Sequence, residues 1–284
     1  MRKFFDAAVV CAALCVGSLS LAATSASAEL LDTRVAGNEV AATIALPGDL
    51  TADLAVRFEN AAGLTLESLG LTAQTVDPLD PALLNRLQAA GLVSLAGGFP
   101  VMVTVDPPAD GGLSFSGLAE VELYTKNLHY AAGSPLRLFS AEKGGNFRDV
   151  TDMIAGGSYR TRGSKGNFSD FLIVADARPL QQVISLKFDR LDTTLINEAS
   201  VIGPGLSTTL ANHLAAARNA WQSGRFDDAI AAIEDFDRSV GEAGAAGQVP
   251  NEWRAAGGVR NLAGELRADA RTLRFSLTLA ANNL

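Results

Sequence analysis

Apolar and polar residues alternate along most of the chain up to Gly203-Pro204-Gly205, and the period then changes to that of a helix. Glu39 to Leu46 alternates, as does Leu54 to Phe58, and Phe99 to Val105 forms a run that Asp106-Pro107-Pro108 brings to an end. Leu113 to Phe115, Ala119 to Tyr124, Leu136 to Phe139, Phe171 to Ala175 and Val183 to Phe188 follow, each bounded by Gly, Pro, Asp or Asn. This is how half-buried antiparallel strands read, and about eight to ten of them at this spacing predict a β-sandwich. A short helix interrupts them, with Asp80 as N-cap, Pro81 at the first helical position and Ala82 to Leu87 after it.

Beyond the Gly-Pro-Gly segment, Ser207 is placed to cap a helix whose stripe is Leu210, Leu214, Ala217 and Trp221, and Gly224 ends it. Phe226, Ala229, Ile230, Ile233 and Val240 make a second stripe, with Phe236 beside it and Asp227 and Asp228 in its first turn. The loop from Gly241 to Gln248 is Gly- and Ala-rich. Pro250 then opens a longer helix through Trp253, Leu262, Leu266, Leu273 and Leu277. Glycines at 257, 258 and 264 inside that helix point to close helix–helix approach, since each costs about 1 kcal/mol against alanine. The fold class is therefore α+β, mostly β: an antiparallel β-sandwich over residues 29–203, then a three-helix module over 206–284.

The first 28 residues read as a secretory signal peptide. Arg2 and Lys3 supply the positive start, Ala7 to Ala23 the apolar core, and Ala26-Ser27-Ala28 the small-x-small cleavage pattern. That core is short for a bilayer span and no stop-transfer segment follows, so the mature chain is expected to lack a transmembrane segment. Leu14 before Cys15 and Val10 before Cys11 do not suit lipoprotein processing. Cleavage removes both cysteines, and with Arg2, Lys3 and Asp6 it takes the net charge from −8 to −9. The expected location is periplasmic or extracellular. An acidic chain repels nucleic acid, and three tyrosines with two tryptophans are too few for the aromatic girdles of a membrane barrel.

Candidate chemistry is sparse. Only His129 and His213 remain as imidazoles, far apart and in different expected domains, which argues against a metal site, a catalytic triad or a cofactor. No G-x-S-x-G elbow occurs in the mature chain. Gly144-Gly145-Asn146 and Gly156-Gly157-Ser158 lack the ending of a phosphate-binding loop and read as turns. Acidic groups at Asp149 with Asp152, Asp189 with Asp192, and Glu234-Asp235 with Asp237 could in principle serve acid–base chemistry. Structural roles fit them better: Asp149 sits in a turn, where it would accept backbone N–H groups, and the Glu234 cluster lies on a solvated helix face. Tyr124, Tyr130 and Tyr159 could line a sugar-binding face, although burial of at least two is expected and neither Trp falls in the expected sheet.

One stretch departs from the acidic background. Residues 126–165 hold seven basic side chains against three acidic ones. Arg160 and Arg162 would share a face of one strand, with Lys165 in the next turn and Arg148 upstream. Guanidinium groups suit sulfate, phosphate or carboxylate, so these four residues are the expected binding residues. The plainer account of them is a solvated edge strand whose charges keep it from pairing.

The proline-bounded strand at Pro107-Pro108, the strand Ala119 to Tyr124, the Pro135 to Phe139 strand, the Phe147 to Thr151 turn and the Phe168 to Val174 strand resemble non-catalytic β-sandwich modules of bacterial surface proteins. That resemblance covers residues 99–175. Residues 206–279, through Leu214 to Ala217, Gly224, Ala229-Ile230, Phe236 to Val240 and Leu262 to Leu273, resemble helical accessory modules of the FIMAH or FIVAR kind. The whole chain looks like an exported bacterial protein from a family of unknown function. What the resemblance implies is architecture without catalytic residues. The expected function is a non-enzymatic interaction protein for envelope or surface binding, adhesion or scaffolding, whose partner is an anionic envelope glycan or a protein. A carbohydrate-active or other hydrolytic enzyme is the alternative.

Overall fold

A computed structural model describes residues 26–282, apart from 88, 90 and 132. Most of the expected leader, residues 1–25, therefore lies outside the described residues. In chain order the strands begin with β1 (Glu29–Ala36), β2 (Glu39–Leu46), β3 (Leu50–Ala62), β4 (Leu71–Thr75), β5 (Val93–Leu95), β6 (Val101–Val105) and β7 (Ser114–Thr125). There follow β8 (Leu136–Ala141), β9 (Arg148–Asp149), β10 (Thr151–Ala155), β11 (Tyr159–Lys165), β12 (Asp170–Asp176) and, far along the chain, β13 (Glu252–Arg254). Helices α1 (Leu66–Leu69) and α2 (Pro81–Arg86) sit between strands. After β12 come α3 (Leu180–Asn197), α4 (Ala199–Ile202), α5 (Pro204–Gln222), α6 (Phe226–Ala245) and α7 (Leu262–Asn282).

The strands form two antiparallel sheets. One runs β1-β2-β3-β7-β11-β10, with β13 added along β7; the other runs β4-β6-β12-β8-β9, with β5 added along β12. Period-2 patterning decides which side of each strand is buried. Val40, Ile44, Leu54, Val56, Val121 and Leu123 of the first sheet share one apolar core with Val101, Val103, Leu138, Phe171 and Ile173 of the second. On β12 the alternate residues Leu172 and Val174 face the other way, into a smaller core with Leu83, Leu87, Phe139 and Phe147. That is why Phe171 to Val174 is an unbroken apolar run: β12 is covered on both faces. The expected short helix is α2, with Asp80 Oδ1 accepting from Ala82 N at 2.9 Å and Pro81 at its start. The Gly144 and Gly156 pairs lie in turns, as expected.

The helical part differs from the sequence reading in four ways. Val183 to Phe188 is not a strand but the middle of α3, where Val183, Ile184, Lys187, Phe188 and Leu191 form a helical stripe. The six residues Val183 to Phe188 also satisfy a helix stripe in part, and only the longer register to Leu195 separates the two. The apolar cluster of the helices consequently starts with Ile184 and Phe188, upstream of the Gly203 segment, and four long helices contribute to it in place of three. Helix α5 begins at Pro204 and places Ser207 inside its first turns. Pro250 opens no helix: β13 follows, Gly257 and Gly258 take positive φ in a turn, and α7 starts at Leu262. Gly264 is indeed a close-approach glycine, but towards the sheet. A Cβ there would lie 2.5 Å from the carbonyl oxygen of Gly117 in β7.

At the other end, Ala26 to Ala28 run along the outer edge of β4. Ala28 N donates to Ala73 O at 2.8 Å and Thr75 N to Ala26 O at 3.0 Å. Among the described residues no helix is long and apolar enough to cross a membrane.

Candidate functional site

The four expected binding residues do not form one patch. Arg160 and Arg162 do share the outward face of β11, but Lys165 is the last residue of that strand rather than part of a turn, and Arg148 lies on β9 in the other sheet. Each of the three arginines has a carboxylate opposite it. Arg160 bonds to Glu122 of β7 and stacks its guanidinium 4.8 Å over the Tyr124 ring. Arg162 Nε donates to Asp152 Oδ1 at 2.8 Å, with Glu120 Oε2 3.7 Å away, and Arg148 stands 3.8 Å from Asp269. The three arginines are thus each offset by a carboxylate, Asp152 from the neighbouring strand β10 and Glu120, Glu122 and Asp269 from segments distant in the chain. Around Arg160 the outward surface carries Arg57, Glu39, Glu122 and Asp53 as well, an alternation of sign across β2, β3 and β7.

Lys165 is 2 % exposed. Burial strips water from its ammonium, Arg148 repels it, and Asp269, Glu142 and Glu265 restore only part, so its pKa is pulled down to about 7. Among the described residues no carboxylate reaches ion-pair distance of it. Its surroundings are loosely joined: Asp269 is 3.6 Å from Arg190, whose Nη1 is buried and has no hydrogen-bond partner among the described residues.

A second buried lysine, Lys187 of α3, is held in the opposite manner. Its Nζ donates to Asp149 Oδ2 at 2.6 Å, Thr272 Oγ1 at 2.7 Å, Ser276 Oγ at 2.9 Å and Thr272 O at 3.0 Å. Asp149 also accepts from Thr151 N at 2.9 Å, the backbone bond that the turn motif leads one to expect. Burial pushes the Asp149 carboxyl up, but Lys187 and Thr151 outweigh it and hold its pKa below the usual carboxylate value. The cluster joins sheet, α3 and α7 at one point. Sequence reasoning misses it because Lys187 reads there as one residue of a strand.

The remaining acidic candidates are each committed to a cation. Asp152 is taken by Arg162 and Ser164, Asp189 and Asp192 share Arg218, Glu234 meets Arg274, Asp235 meets Arg238, and Asp237 meets Arg267 and Arg271. His129 is exposed, while His213 lies 3.5 Å from Ser239 Oγ on the next helix. Of the tyrosines only Tyr159 is buried, contrary to the expectation for at least two; Tyr130 is 42 % exposed.

The placement of Trp253 is a further correction. β13 pairs with β7, which sets Trp253 opposite Phe115 in the sheet and T-shaped against Phe168 at 4.9 Å. Beside it opens a cleft of about 570 Å³ lined by Glu142, Asn167, Phe168, Trp253, Arg260 and Glu265. Three residues of strand within a Pro- and Gly-flanked loop leave no periodic signal, so the sequence alone does not reveal it.

Fold and junction define a mixed α/β protein: two antiparallel sheets facing a common core, with a helical cluster tied on by buried polar groups. A family of unknown function, DUF6689, is matched over residues 16–281, and the chain belongs to that family. No curated protein matches it.

Proposed function

We propose that the chain is an exported bacterial interaction protein that works without catalysis and holds a protein partner at the envelope. In this reading the two sheets act as a β-sandwich scaffold and the helices as an accessory module. The observation that carries it is the Arg160–Tyr124 stack on the outward face of β7 and β11. A tyrosine and an arginine on a rigid sheet, ringed by charges of both signs, make the kind of anchor on which protein interfaces concentrate their energy. The mixed signs favour a protein surface over a uniformly anionic glycan. Commitment of Asp149, Asp152, Asp189, Asp192, Glu234, Asp235 and Asp237 to cations supports a non-catalytic role over the hydrolytic alternative.

Retention on isolated envelopes tests this. Arg160→Glu combined with Arg162→Glu, and separately Tyr124→Ala, should weaken retention at low salt by about tenfold or more with the melting temperature little changed. Unchanged retention in both variants removes the reading. Protease treatment of the envelopes should abolish retention; survival of retention would assign the partner to an anionic glycan instead. Export is checked on the protein recovered outside the cytoplasm, whose N-terminal residue should be Glu29. Cleavage there would leave Ala73 O and Thr75 N on β4 without their present partners.

A further inference from the structure

We propose that the Trp253 cleft is a separate binding site for an uncharged, hydroxyl-rich sugar chain. It lies where four elements converge: the turn after β8 supplies Glu142, the loop after β11 supplies Asn167 and Phe168, β13 supplies Trp253, and the approach and first turn of α7 supply Arg260 and Glu265. At about 570 Å³ it is a shallow cleft open to solvent, which suits a stretch of an extended chain better than an enclosed small molecule.

The lining has the two halves that sugars need. A pyranose is apolar on the faces that carry C–H groups and polar at its rim. Trp253 belongs to an aromatic cluster with Phe58, Phe115 and Phe168, which fixes the ring: its centroid is 5.5 Å from that of Phe115 and 4.9 Å from that of Phe168. The half-buried ring still borders the cleft, so it offers rigid apolar surface with little ordering left to lose on binding. Around it stand acceptors and donors for hydroxyls. Asn167 Nδ2 donates to Glu142 Oε1 at 2.9 Å, which sets both side chains at the cleft wall and leaves the other Glu142 oxygen to accept from a hydroxyl. Arg260 is oriented by Glu265, whose Oε2 accepts from Nε at 2.9 Å and from Nη2 at 2.6 Å.

Charge narrows the class. Two carboxylates against one guanidinium leave the cleft negative, and Arg260 is already shared between Glu265 and Glu198. A uronate, phosphate or sulfate would meet Glu142 with no unshared cation among the residues that line the cleft. A neutral or N-acetylated sugar meets neither penalty. The site is independent of the Tyr124–Arg160 face, so either can fail without the other.

The test uses the full chain and three neutral probes, the trisaccharides of N-acetylglucosamine, of α-linked glucose and of β-linked glucose, with trigalacturonate as the anionic arm. Calorimetric titration should detect at least one neutral probe and no trigalacturonate. Asn167→Ala and Glu142→Ala, which change cleft-wall side chains rather than the core, should each weaken binding by about tenfold, and Lys143→Ala, adjacent in sequence but turned to Asp106, should leave it unchanged. Trp253→Ala should abolish binding; should it fail to fold through loss of the aromatic cluster, Trp253→Phe takes its place and should bind more weakly than wild type. No binding of any neutral probe, or full binding by both Asn167→Ala and Glu142→Ala, overturns the proposal. Tighter binding of trigalacturonate than of the neutral probes overturns it too.

Discussion

Two buried lysines stand at the junction of sheet and helices, and they are held in contrasting ways. Lys187 has four oxygens within 3.0 Å, one of them a carboxylate; Lys165 has carboxylates in its neighbourhood but none in contact. Both pay the desolvation of burial. The difference lies in what replaces the lost water. Around Lys187 the Thr272 and Ser276 hydroxyls, one helical turn apart on α7, complete a cage with Asp149, so the charge has a fixed place. Around Lys165 the nearest negative groups are already drawn towards Arg148, Arg190 and Arg260. Burial pulls the pKa of both lysines down, with Asp149 offsetting part of that at Lys187; what differs is how many acceptors hold each ammonium in place.

The largest test of this contrast is Lys187→Met. It leaves Asp149 buried, ionised and uncompensated, and should cost about 3–5 kcal/mol in denaturant unfolding. Adding Asp149→Asn should recover much of that loss, because the amide oxygen can still accept from Thr151 N while the orphaned charge is gone. A single variant as stable as wild type, or a double variant no better than the single, breaks the picture of an ionised pair that ties the helices to the sheet.

Lys165 should respond in the opposite direction. Its pKa is about 7 in the folded protein against 10.5 for a free lysine. Between those values the unfolded chain binds more protons than the folded one, so stability rises with pH through that window. Below about pH 7 both states are protonated and the cost of burying the charge is complete. Lys165→Met should therefore stabilise the protein at pH 6 by an amount on the order of 2–4 kcal/mol and flatten the rise towards pH 10. A thermal melt series over that range decides it: a variant that keeps the wild-type slope shows that another group titrates there.

Much of the sheet part is legible in the sequence because its signal is local. The alternation of Glu39 to Leu46, the Asp80-Pro81 start of α2 and the Asp149 turn each depend on residues a few positions apart. What escapes depends on contacts between distant segments. Arg160 and Arg162 look free until β7 brings Glu122 and Glu120 beside them, so a positive stretch in sequence is no positive patch in space. Val183 to Phe188 fits both periods over its own length, and only Leu191 and Leu195 decide for the helix. In sequence Trp253 continues a helical stripe, yet Gly257 and Gly258 interrupt it and β7 captures the segment before them as a strand. The Trp253 cleft draws on residues from 142 to 265 and has no signature in any one window.

The smallest expected effect comes from the other means of attachment between helix and sheet, the arginines of α7. Arg271 Nη1 donates to Glu120 Oε1 at 2.9 Å, with Glu59 at 3.7 Å and Asp237 at 3.6 Å, and Arg267 bridges Glu59 and Asp237 in the same way. These groups keep contact with water, so their ion pairs gain little over hydration, and the long side chains lose rotamer freedom to form them. Arg271→Ala should cost only about 1 kcal/mol, part of it from packing of the arginine stem. Salt separates this mode of attachment from the buried one. At about 1 M salt, where the Debye length falls to about 3 Å, the penalty for Arg271→Ala should shrink, while that for Lys187→Met should stay nearly constant. Unfolding curves of both variants at low and high salt measure the two together. Equal salt dependence would mean that Lys187 is as open to solvent as the arginines, and the contrast between a caged charge and a solvated one would not hold.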